Sequence, residues 1–95
     1  MTYYRDPEQH KAYKVEPRNP GQPTYIYWVQ VHKDFGTGAF VHARGRDVVD
    51  HPDKAKKLME ATAKPATEED YISALKDYFA IDKKVREQFI EAYKL

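Results

Sequence analysis

Residues 24–49, TYIYWVQVHKDFGTGAFVHARGRDVV, decide how this chain folds. The first ten are rich in β-branched and aromatic side chains, DFGTG (34–38) supplies turn chemistry, and AFVHARGRDVV (39–49) resumes a strand-like pattern. That combination predicts a β-hairpin. Its register matters, because a slip of one residue sends every side chain to the other face. A five-residue loop over Asp34–Gly38 sets Lys33 opposite Ala39 and separates the two faces cleanly. Tyr25, Tyr27, Val29 and Val31 then share a face with Ala39, Val41 and Ala43, suited to packing on helices. The other face sets His32 opposite Phe40, Gln30 opposite His42 and Trp28 opposite Arg44, with Ile26 alongside and Arg46 at the border.

On the C-terminal side the periodicity changes. Pro52 suits a first helical turn, and PDKAKKLMEATA (52–63) places Ala55, Leu58, Met59 and Thr62 at helical spacing until Lys64-Pro65 ends it. Thr67 then reads as a cap followed by three acids, Glu68, Glu69 and Asp70, where the helix dipole favours negative charge. Tyr71, Ala74, Leu75, Tyr78 and Phe79 give this second helix its buried stripe. Beyond Ala80 the pattern fits equally a single helix to the end of the chain or a break near Asp82.

On the N-terminal side, residues 1–23 read as an extended Pro-rich segment, with KAYKV (11–15) available as a third, edge strand. PRNPGQP (17–23) has prolines at three-residue spacing, which favours a polyproline path, and Lys14-x-x-Pro17-x-x-Pro20 has the spacing of one class of SH3 ligand. The expected architecture is a single α+β domain over 24–95, an antiparallel hairpin with two or three helices packed on one face.

Ninety-five residues leave room for one core. Charge is balanced along the chain: seven basic and six acidic side chains in residues 1–50 and nine of each in 51–95. A charge-driven partner must therefore be recognised by a local patch. Without cysteine there is no disulfide, thiol nucleophile or thiolate metal site. The longest apolar run, Tyr25–Val29, falls far short of the ~18–20 residues of a membrane span, and MTYYRDPEQH lacks the apolar stretch of a secretory signal. A cytoplasmic protein with no membrane partner is expected.

HARGRDVVDHPD (42–53) crowds two histidines, three aspartates and two arginines into twelve positions. Imidazole and carboxylate are common metal ligands, yet Asp50 at a helix start and Asp53 in its first turn have a structural reason to be there. No H-E-x-x-H spacing is present. Ser73, the single serine, lacks a nucleophile elbow, and Gly36-Thr37-Gly38 lacks the following helix of a phosphate loop. No catalytic residues, metal or cofactor are therefore expected.

What remains is the outward sheet face of Trp28, Gln30, His32, Phe40, His42, Arg44 and Arg46. Aromatics interleaved with arginine make protein-binding hot spots and also single-stranded nucleic-acid platforms. Balanced net charge favours the first. The expected function is non-enzymatic protein binding, as a small regulator or inhibitor of the kind bacteria and their phages encode, with self-association as a homodimer open to it. The alternative is nucleic-acid binding by the same face. Tyr3, Tyr4 and Tyr13 of the N-terminal segment would remove the site if they folded over it.

Overall fold

The computed structural model describes residues 1–33 and 40–92, with Lys33 and Phe40 described by backbone alone. The chain runs β1 (Thr2–Asp6), β2 (Lys11–Glu16), β3 (Thr24–Lys33), β4 (Phe40–Val49), α1 (Pro52–Thr62), β5 (Lys64–Ala66) and α2 (Glu68–Ala92). The strands form one antiparallel sheet in the order β4-β3-β2-β1-β5. The α+β class is as expected. Residues 2–16, inside the stretch set apart as a lead-in, supply β1 and β2, and KAYKV lies inside the sheet between β1 and β3.

Local chemistry explains the turns. Asp6 Oδ1 accepts from the backbone N–H groups of Glu8 and Gln9 at 3.1 and 3.2 Å, closing the β1–β2 connection as an Asx turn. His10 leaves that turn in the left-handed region at φ 55°. Between β2 and β3, Asn19-Pro20-Gly21-Gln22 has the signature of a type II turn: Pro second, Gly third at φ 85°, and Gln22 N–H donating to the Asn19 carbonyl at 2.9 Å. The polyproline path expected over 17–23 is broken by this reversal. Lys14 belongs to a strand, so the SH3-ligand spacing is not displayed as an extended helix.

The hairpin of β3 and β4 forms, but its register differs by one residue from the expected one. Val29 lies opposite Arg44, Trp28 opposite Gly45, Gln30 opposite Ala43 and His32 opposite Val41. The expected loop Asp34–Gly38 and Ala39 lie outside the described residues. The pairing of Lys33 with Phe40 puts six residues between the strands.

The helices also divide. α1 buries Ala55 and Met59 against Tyr4, Tyr13, Val15 and Ile26, with Trp28, Val49 and Ala63 beside them. α2 buries Tyr71 against Ala12 and Val29, with Tyr3, Tyr27, Val31, Ala74, Leu75 and Tyr78 around it. Alternation along the strands places these sets on opposite faces, so the helices sandwich the sheet instead of sharing one face. Among the described residues the expected two or three helices resolve as two, because Asp82 sits within α2 and does not restart it. β5 is three residues long and contains Pro65, which a sheet tolerates at an edge. The radius of gyration, 15.8 Å, exceeds the ~12 Å expected for a compact chain of this length. The 25-residue α2 spans about 37 Å, more than five strands at about 4.8 Å spacing.

Candidate functional site

The sheet face under α2 collects cations on tyrosine rings. On β3, Tyr25 and Tyr27 point to this face, their rings 6.1 Å apart and edge-on. Arg46 from β4 and Arg18 from the β2–β3 loop lie over the Tyr25 ring, 4.3 and 4.5 Å from its centre. Lys14 of β2 lies over Tyr27 at 5.1 Å and reaches Tyr71 at 5.8 Å. Arg44 lies 5.0 Å from the centre of Phe79 and 5.4 Å from that of Tyr78, joining β4 to α2. Cations over aromatic rings gain about 0.5–2 kcal/mol each, depending on exposure.

Where α2 crosses β4, His42 Nε2 meets Asp82 Oδ1 at 3.3 Å, and Arg86 pairs with the other oxygen of Asp82 at 2.9 Å. Tyr78 packs on the His42 ring with centroids 5.3 Å apart. Burial first, then the Tyr27 and Tyr3 hydroxyls, push the Tyr71 phenol above tyrosine's ordinary range, and Arg44 pulls the other way. Tyr25 and Tyr27 thus serve this face as ring platforms for the cations of neighbouring strands and the β2–β3 loop.

The one-residue shift in register separates the side chains expected to act together. His42, Arg44 and Arg46 lie on the α2 face, while Trp28, Gln30 and His32 lie on the α1 face. The Phe40 side chain is outside what is described. Gln30 and His32 are occupied in holding the β1–β2 turn: Gln30 Nε2 donates to the Gln9 carbonyl at 2.8 Å, and His32 stacks on His10 with ring centres 3.8 Å apart. Trp28 is half-buried against the α1 core, with Lys11 5.0 Å from its ring centre. Its indole lies across Gly45, where a Cβ would sit 2.6 Å from Cζ2.

Tyr25, Tyr27, Lys14 and Arg18 were missed. Alternation assigns the first two inward, and Tyr27 does pack against the core under α2; the two cations arrive only through the tertiary path of the N-terminal segment. A cleft of about 350 Å³ at the β4 margin is bounded by Tyr27, Trp28, Arg44, Gly45, Arg46, Tyr71 and Leu75. A larger one, about 710 Å³, lies between the β2–β3 loop and the start of α1. Loop prolines and Gly21 form much of its wall, and of the stacked cations it holds Arg18, so the smaller cleft, with Arg44 and Arg46 beside Tyr27 and Tyr71, has the more concentrated chemistry. Among the described residues, no three His, Asp or Glu side chains gather to hold a metal ion, and no helix is long and apolar enough to cross a membrane. No family model, curated protein or solved structure matches this chain.

Proposed function

We propose that this chain is a non-enzymatic binding protein that acts in the cytoplasm, regulating or inhibiting a partner protein whose contact surface is acidic. The observation that carries this is the row Arg18, Arg46, Lys14 and Arg44, each laid over a tyrosine or phenylalanine. A guanidinium stacked on a ring keeps its N–H edge available for carboxylates, and its planar fork is less costly to order than a free side chain. Tyr and Arg are also the residue types that dominate interface hot spots.

Nucleic acid would draw on the same four cations. Base stacking needs an open aromatic face, however, and Tyr25 and Tyr27 are each already under a cation of this chain. Stacking a base there requires displacing that cation. The two readings part on immobilised polymers. Retention on poly-L-glutamate is expected to exceed retention on a single-stranded polynucleotide, and Arg18→Ala with Arg46→Ala should weaken it. Stronger retention on the polynucleotide, falling steeply with salt in proportion to the phosphates neutralised, would make nucleic acid the ligand instead.

A further inference from the structure

The two margins of the sheet are built differently. One ends in β5, three residues with a proline; the other ends in β4, ten residues with none. Short, proline-bearing edges resist further pairing, whereas a long open edge is a template for another strand.

Hydrogen-bond direction identifies which groups of β4 are open. In antiparallel pairing a residue sends both N–H and C=O to the same neighbour, and the next residue sends both the other way. Val31 N–H donates at 3.1 Å to the carbonyl of His10, on the β2 side. Trp28, Gln30 and His32 therefore turn toward β4, where they meet Gly45, Ala43 and Val41. It follows that His42, Arg44, Arg46 and Val48 turn their backbone groups outward, away from β3. Among the described residues no strand lies beyond them.

We infer that the acidic partner enters as an added strand on β4, alternating carboxylate with apolar side chains. This rests on the proposed acidic-partner reading and names the mode of binding. Strand addition takes affinity from the backbone and specificity from alternate side chains. On the α2 face, alternate positions of an incoming strand would lie beside Arg44 and Arg46, both exposed. On the opposite face, the intervening positions meet Gly45, whose missing side chain lets the Trp28 indole extend across β4 toward the open margin. Carboxylates fit the first set and aliphatic groups the second. A second copy fits poorly: two-fold pairing of β4 about Gly45 sets Arg44 opposite the second copy's Arg46 and Arg46 opposite its Arg44, and like charges placed opposite are destabilising.

The test uses the full chain and a capped octapeptide of alternating glutamate and valine. Its controls are a peptide of the same composition in two blocks, and an alternating peptide N-methylated at every second amide. The alternating peptide is expected to slow amide exchange at Arg44, Arg46 and Val48 about tenfold, with little effect from either control. Val48→Pro removes an outward N–H while keeping both arginines, and should abolish that protection; circular dichroism checks that the variant folds. Two outcomes overturn strand addition while the acidic-partner reading survives on its own polyglutamate result. In one, the N-methylated peptide binds equally or the β4 amides stay unprotected; in the other, no octapeptide binds. Protection of β4 that grows with protein concentration alone would overturn it in favour of a second copy.

Discussion

Gly45 is where a single atom constrains the site. A Cβ there would lie 2.6, 2.8 and 3.0 Å from Cζ2, Cε2 and Nε1 of Trp28, all closer than ordinary contact. The indole is half-buried against the core under α1, so it has limited room to retreat. Gly45→Ala is expected to cost about 1–3 kcal/mol, the usual range for forcing atoms into a packed site. Urea melts would measure the loss, and a shift in the Trp28 emission maximum would report the displaced ring. Trp28→Leu should relieve much of the strain, so the double variant will be more stable than the two single losses added together. Additive losses would show that the indole does not lie over Gly45.

At the scale of elements, the start of α2 shows how chemistry written locally survives into the fold. Asp70 N–H donates to Thr67 Oγ1 at 3.2 Å, and Thr67 N–H donates to Asp70 Oδ2 at 3.0 Å, a reciprocal capping box. The Thr67 backbone bond, then its side chain, holds the Asp70 carboxyl below the usual aspartate range, and Arg5 adds to the effect. Since folding lowers this pKa, its contribution is present above the unfolded value and lost as pH falls through the folded one. Asp70→Ala should lower the melting temperature at neutral pH, with the two curves converging in acid; a gap that stays constant would rule out the ionised cap. Thr67→Ala, losing the hydroxyl acceptor, is expected to cost about 1 kcal/mol. Such a cap was legible because its residues are three apart in sequence, and the hairpin was legible because its alternation is local. β5 was not, since three residues carry no period and Pro65 reads as a stop. Nor was the register, because one residue more between the strands than the expected five turns β4 over and moves each of its side chains to the other face. The site inherited that uncertainty: Arg44 and Arg46 were named, but their companions depend on which face β4 turns to α2.

At the scale of the whole molecule, one strand is common to both cores. Ile26, 1% exposed, is buried under α1, and Val29, fully buried, is buried under α2, three positions along on the opposite face of β3. A helix on each side of a single sheet leaves neither core able to lose its strands without exposing the other. Residues 83–92 are all exposed and follow the Asp82 contact to His42, so the far end of α2 contributes little to either core. The expected behaviour is one cooperative transition for the sheet and both helices up to Asp82. Val29→Ala should cost about 2 kcal/mol and Met59→Ala about 2–5 kcal/mol, by lost burial and the cavities left behind. The decisive comparison uses a probe on each face: Trp28 emission for the α1 side and the Tyr71 ring resonances for the α2 side. In either variant the two should move to lower urea together, with the slope of unfolding free energy against denaturant unchanged. If Val29→Ala displaced the Tyr71 transition and left that of Trp28 in place, the α2 face would be a separate unit. The basic surface would then ride on an element able to detach from the sheet, and Arg44 could not be held in register with Phe79 while a partner binds.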